Sequence, residues 1–175
     1  KEGFKKEIQT AFDQANNEPA IQPNLSEELS DLYAPHTFQL VRPISAGREI
    51  RFIDAIQESL KQSMERHPNL VLMGQDIAEY GGVFKISDNF YKWFGKGRIR
   101  NTPITESSIV GAAYGLSIMG YKAIVEMQFA DFVSSGFNPI VNYLAKNHFR
   151  WGEKADVVIR MPCGAGVGAG PFHSQ

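Results

Sequence analysis

Residues 70–73, Leu-Val-Leu-Met, are apolar at four successive positions between Pro68 and Gly74. A strand with one wet face alternates apolar and polar side chains, whereas a strand covered on both faces need not. A run this short and this uniform predicts a buried parallel strand, and parallel strands must be joined by long crossovers, usually helices. The neighbouring sequence supplies them. Ile53, Ile56, Leu60 and Met64 repeat at helical spacing until His67-Pro68 ends the pattern. A second helix is expected over 87–94, closed by Gly95 and Gly97, and a strand over 98–100. Thr105 then caps a helix whose apolar face is Ile109, Ala112, Ala113, Leu116 and Met119, ended by Gly120. Residues 122–127 read as strand, Asn138-Pro139 opens a helix to about residue 149, and 157–161 is the last apolar strand. This alternation predicts an α/β fold of three layers, a largely parallel sheet with helices on both faces.

The first 48 residues have another texture. Residues 1–17 form one amphipathic helix with Phe4, Ile8, Ala11, Phe12 and Ala15 on a single stripe. Pro19 stops it, Pro23 delays any restart, and a short helical turn can begin at Ser26. The expected organisation is a helix at 1–17, a Pro-containing linker at 18–48 and one domain at 49–175. Gln175 follows a glycine-rich stretch placed where a parallel sheet wants a covering helix, so the domain is expected to be truncated at its C-terminal end.

Charge excludes several classes of function. Lys plus Arg is 18 against Asp plus Glu at 19, so the chain has no broad field for nucleic acid or an anionic membrane. No apolar run reaches the roughly 18 residues of a membrane span, and the Lys/Glu-rich start is not a signal peptide. Cys163 is the single cysteine, which rules out an internal disulfide and an all-cysteine metal cage and suggests a reducing compartment. None of the four histidines has a partner at metal-ligand spacing, and Asp76 with Glu79 lacks the repeated oxygens of a calcium loop. No protein-made metal site is expected.

Two features point to chemistry. Residues 164–169, Gly-Ala-Gly-Val-Gly-Ala, fit a dinucleotide fingerprint after a strand, but no helix follows because Pro171 intervenes. A close-packed loop that carries His173 is the preferred reading. Glu106 starts the helix after Thr-Pro-Ile-Thr. An acid in a first turn is stabilised by the helix dipole by roughly 0.3–1 kcal/mol, a sufficient structural reason for it. The small residues Gly111, Ala112, Ala113 and Gly115 allow close packing of that helix, which would set the carboxylate at the mouth of a crevice beyond a strand end. Phe129 and Phe132 read most simply as core.

Four stretches in one order are more specific: residues 73–85 (Met-Gly-Gln-Asp-Ile-Ala-Glu-Tyr-Gly-Gly-Val-Phe-Lys), 98–106 (Arg-Ile-Arg-Asn-Thr-Pro-Ile-Thr-Glu), 124–132 (Ile-Val-Glu-Met-Gln-Phe-Ala-Asp-Phe) and 170–175 (Gly-Pro-Phe-His-Ser-Gln). Together they resemble the pyrimidine-binding domain in the β subunit of thiamin-diphosphate-dependent 2-oxo acid dehydrogenases, over about 49–175. The earlier Glu7-Ile-Gln-Thr-Ala-Phe, Asn17-Glu-Pro and Leu32-Tyr-Ala-Pro resemble the end of the α subunit, so the whole looks like a piece of a fused α–β decarboxylating component such as some bacteria possess.

The resemblance implies roles. Glu106 would hydrogen-bond the aminopyrimidine nitrogen of thiamin diphosphate, so that the cofactor's exocyclic nitrogen can activate its own thiazolium carbon; a carboxyl in an apolar cleft can share a proton with a weakly basic ring. Phe132 would pack on the pyrimidine face, where stacking adds about 0.5–1.5 kcal/mol. His173 would move protons during acyl transfer to a lipoyl arm. Met127 and Gln128 would flank the pocket. Gln75 departs from the pattern, since many relatives carry an acid there, and the Gly-Asp-Gly…Asn motif for diphosphate and magnesium is absent. Magnesium would therefore come through an α-type domain. The implied activity is oxidative decarboxylation of a branched-chain 2-oxo acid (2-oxoisovalerate) as part of a multienzyme complex. Pyruvate is the alternative substrate, and a non-catalytic interaction module is the alternative role for the piece alone. Implied partners are the α-type domain, a second β-type domain in a homodimer of fused chains, and the lipoyl-bearing acyltransferase, in a bacterial cytoplasm.

Overall fold

The computed structural model describes residues 1–40, 42, 47–164, 168 and 173. The chain divides into two compact units between Leu32 and Tyr33, within the stretch read as linker. The first unit holds helix α1 (Glu2–Asn17) and the short α2 (Leu25–Ser30). The stripe Phe4, Ile8 and Phe12 on α1 is exposed, and neither helix has a buried residue. Asn24 caps α2, its side-chain oxygen accepting the Glu27 N–H at 3.3 Å.

The second unit is an α/β domain around a four-stranded, wholly parallel sheet with strand order β2-β1-β3-β4. The strands are β1 (Leu70–Gly74), β2 (Ile99–Asn101), β3 (Lys122–Glu126) and β4 (Val157–Arg160). Every residue of β1 is buried, so both faces of the central strand are covered, as its unbroken apolar run requires. The core joins Leu60 and Met64 of α3 (Phe52–Arg66) to Leu70, Leu72 and Met73 of β1, to Phe90 of α4 (Phe90–Phe94), and to Ile109 and Ala113 of α5 (Glu106–Ile118).

Arg98 locks one corner. Its guanidinium donates to the carbonyls of Met64 at 2.6 Å, His67 at 2.7 Å and Leu70 at 2.9 Å, which satisfies the open end of α3 with a side chain from another segment. Burial pushes the guanidinium pKa down, but the three carbonyls favour the charged form.

Several local expectations need correction. The helix expected over 87–94 is only Phe90–Phe94, because Asn89 sits in the left-handed region and forces a break. The helix from Asn138 is divided into α6 (Phe137–Pro139), a π-helical turn at Ile140–Leu144 and α7 (Asn147–Trp151). Buried Asn147 explains part of this: it accepts from the Tyr114 hydroxyl at 2.8 Å and donates to the Glu153 carbonyl at 2.9 Å, tying α7 to α5. Ala112 on α5 and Met119 just beyond its end face solvent, while Ile109, Val110 and Ala113 are buried. Thr105 stands at the cap position, but its hydroxyl donates to the Pro103 carbonyl at 3.5 Å and bonds no helix N–H.

Candidate functional site

Because all four strands are parallel, Gly74, Asn101, Glu126 and Arg160 end on one edge of the sheet. The chain leaves β1 for β2 on one side and later returns to β3 on the other. The connections after β1 and β3 therefore diverge, and such a switch point opens a crevice at the C-terminal ends of the strands. Helix α5 runs from the end of β2 back to the start of β3, so its first turn, with Glu106, lies on the same edge.

Glu106 is half-buried, and its carboxyl has no hydrogen-bond or ion-pair partner among the described residues. Nearby, the hydroxyl of Thr102 is buried and likewise without a hydrogen-bond partner there. Thr102 and Glu106 lie four residues apart where the backbone enters α5, and a buried hydroxyl without a partner is unusual in a settled core. The segment after β3 closes against that helix start. Gly136, at the end of a 3₁₀ stretch (Ala130–Gly136), lies so near α5 that a Cβ there would stand 3.3 Å from Val110 and 3.5 Å from the Glu106 carbonyl. The same Cβ would meet the methyl of Met127 at 3.0 Å. Met127 is only 1% exposed, so it backs the site from inside, whereas Gln128 is half-buried.

The turn after β3 gathers three residues around His173. The imidazole stacks on Phe129, with centroids 4.2 Å apart and planes 16° apart, and meets Phe132 edge-on at 5.4 Å. Phe129 and Phe132 are themselves perpendicular, 5.9 Å apart. Both are half-buried walls of this cluster, a more specific role than the core reading given above. Nδ1 of His173 lies 3.2 and 3.3 Å from the two carboxylate oxygens of Asp131. The structure thus brings Phe132 and His173 together. Glu106 meets the same segment through the backbone contact at Gly136, and no hydrogen bond or ion pair joins its carboxyl to His173 among the described residues. The rest of the glycine-rich stretch, at 165–167, 169–172 and 174–175, lies outside the described residues.

Sequence reasoning missed Asp131 and a second feature, the buried Glu126 at the end of β3. Glu126 is ion-paired with Arg160, and its other oxygen accepts the Val83 N–H at 3.1 Å. The loop it holds, between β1 and α4, contains four non-glycine residues with positive φ: Asp76, Phe84, Lys85 and Asn89. Such backbone strain collects where a function constrains the chain. A separate cleft of about 320 Å³, lined by Glu79, Tyr91, Lys96 and Arg100 beside β2, contains none of Glu106, Phe132 or His173. Among the described residues, no three His, Cys, Asp or Glu side chains gather as metal ligands would.

Residues 48–175 match the family described as "Transketolase, pyrimidine binding domain". The chain is 39% identical over 126 residues to the 2-oxoisovalerate dehydrogenase subunit beta of Bacillus subtilis, covering 71% of this chain and 38% of that one. It is 35% identical over 138 residues to the pyruvate dehydrogenase E1 component subunit beta of Leifsonia xyli, covering 78% of this chain and 41% of that one. Among solved structures, a "split gene transketolase, inactive beta4 tetramer" superposes with a TM-score of 0.48 at 25% identity, over 62% of this chain and 32% of that one. The chain spans about two-fifths of the length of these curated relatives.

Proposed function

Because the chain belongs to the transketolase pyrimidine-binding domain family, we propose that it holds the aminopyrimidine end of thiamin diphosphate in a 2-oxo acid dehydrogenase. The observation that carries this reading is the half-buried, unpartnered carboxyl of Glu106 at the crevice edge of a parallel sheet. The residues present fit that end of the cofactor. Glu106 offers an acid to a ring nitrogen, Thr102 a second orphan polar group, and Phe132 an aromatic wall. Bound there, the cofactor would supply the carbon nucleophile for decarboxylation of a 2-oxo acid.

The protein residues divide the remaining work. Glu106 shares a proton with the ring nitrogen in this reading. Phe132 and Phe129 exclude water from one side, and Met127 with Gly136 keeps the floor closed. His173 takes or gives a proton as the acyl group leaves for the lipoyl carrier. Diphosphate and magnesium fall to an α-type domain, of which residues 1–17 are the end in this reading, joined by 18–48 to the domain at 49–175. The full enzyme is then a homodimer of fused chains that meets a lipoyl-bearing acyltransferase in the bacterial cytoplasm.

The substrate assigned is a branched-chain 2-oxo acid, supported by the 39% identity to the 2-oxoisovalerate enzyme's subunit. Turnover of 2-oxoisovalerate and of pyruvate by the full-length enzyme, with and without added thiamin diphosphate, is the test. Higher kcat/KM for 2-oxoisovalerate is expected. A preference for pyruvate would transfer the assignment to the other group of relatives, and no cofactor-dependent turnover of either would reduce the domain to an interaction module.

A further inference from the structure

Among the described residues, the ring and hydrogen-bond contacts of the His173 imidazole come from the segment Phe129 to Phe132. Phe129 sets the plane of the ring by stacking, and Phe132 blocks rotation from its edge. Asp131 meets one nitrogen only, Nδ1, with both carboxylate oxygens at 3.2–3.3 Å. An ionised carboxylate is acceptor-only, so the neutral ring satisfies it by carrying its hydrogen on Nδ1. The two side chains are 30% and 27% exposed, so most of each is covered by the protein.

We propose that Asp131 is the positioning residue for His173: its carboxylate accepts the Nδ1–H, fixes that tautomer and leaves Nε2 as the only atom of the ring that takes up or releases protons. A histidine that transfers protons from a fixed place needs its other nitrogen committed in this way, because a ring free to flip or change tautomer presents the proton-accepting atom only part of the time. The pair is built from residues 42 positions apart, so the Asp131 carboxylate serves the ring and not its own turn. Within that turn it also accepts, through its backbone carbonyl, the Ser134 hydroxyl at 3.0 Å, so the 3₁₀ stretch is braced without the carboxylate. The catalytic consequence rests on the role given to His173 above; the tautomer does not.

The test uses the full-length enzyme labelled with ¹⁵N-histidine, at a pH where imidazole is neutral, with His173 identified by the signal lost in His173→Gln. Long-range ¹H–¹⁵N spectra should show Nδ1 protonated and Nε2 bare, and Asp131→Ala should shift the ring toward the Nε2–H form. A wild-type ring protonated mainly on Nε2 overturns the proposal, whatever the variants do. In acyl transfer to lipoyl, Asp131→Ala should lose at least about tenfold, Asp131→Glu should recover part of it, and Asp131→Ala with His173→Ala should be no slower than His173→Ala alone. Multiplying losses in the double variant would make Asp131 an independent structural residue and also overturn the proposal. If His173→Ala leaves transfer unchanged, the role given to His173 fails, while the tautomer measurement still decides the role of Asp131.

Discussion

Glu126 and Arg160 form a buried ion pair across the ends of the neighbouring strands β3 and β4. One carboxylate oxygen accepts from Arg160 Nε at 3.0 Å and from a second guanidinium nitrogen, and the other accepts the Val83 N–H. A single side chain that is 1% exposed therefore ties together β3, β4 and the strained loop after β1. The crevice edge is built around this charge, three residues before Phe129 begins the cluster around His173.

Arg160→Met leaves Glu126 buried with its charge unpaired, a change that costs about 3–5 kcal/mol when one partner is lost. Replacing both members, Glu126→Leu with Arg160→Met, should recover a large part of that loss, since apolar pairs of similar volume are often tolerated. Urea unfolding of the two variants beside wild type measures it. Equal stability for Arg160→Met and wild type would mean that Glu126 is not shielded as described.

Two glycines should respond in opposite directions. A Cβ on Gly74 would stand 2.7 Å from the carbonyl oxygen of Glu126, its register partner on β3. Backbone cannot yield as a side-chain tip does, so Gly74→Ala is expected to destabilise by about 1–3 kcal/mol through overpacking. Gly111, within α5, has nothing within 4 Å of the same position. Gly111→Ala should stabilise the domain by about 0.5–1 kcal/mol from helix propensity alone. Thermal melting of both variants is the check, and a shift in the same direction for both would contradict the packing described.

Arg98 offers a third test. Arg98→Ala removes three hydrogen bonds to the carbonyls that end α3 and begin β1. Bonds from charged donors contribute about 1.5–3 kcal/mol each at most and do not add, so a loss near 3 kcal/mol is expected. Lysine should rescue little, because one ammonium cannot span three carbonyls as the forked guanidinium does. Chemical denaturation of Arg98→Lys that matched wild type would show that charge alone suffices.

Strand β1 was legible because burial on both faces leaves a short unbroken apolar run, which residues 70–73 carry between Pro68 and Gly74. Glu106 was legible too, as an acid at a helix start beyond a strand end. Other parts depend on contacts that sequence spacing does not express. Glu126 sits within a strand whose apolar pattern hides it, and its partner Arg160 is 34 residues away. Phe129 has the composition of a core residue and becomes a wall only because His173 folds back on it. The break at Asn89 and the π-helical turn at Ile140–Leu144 are local conformations set by packing, which helical periodicity does not distinguish from a continuous helix.

Glu106→Gln separates the two reasons for having an acid at that position. If Glu106 serves only the helix dipole, its neutral isostere costs no more than roughly 0.3–1 kcal/mol of stability and leaves turnover alone. If it shares a proton with the cofactor's ring, the amide keeps the shape and the hydrogen-bond acceptor but cannot hold or release that proton. Loss of a positioned acid–base group then lowers turnover by roughly 10²–10⁴-fold. The full-length enzyme should therefore melt within a few degrees of wild type while its cofactor-dependent decarboxylation nearly disappears. The stability side of this expectation is well defined because the carboxyl has no partner among the described residues to be stranded by the change. Decarboxylation followed with an artificial electron acceptor, beside a thermal melt of the same preparation, reads both quantities. Activity within threefold of wild type, with thiamin diphosphate bound, would return Glu106 to the helix dipole and remove the acid from the proposed site.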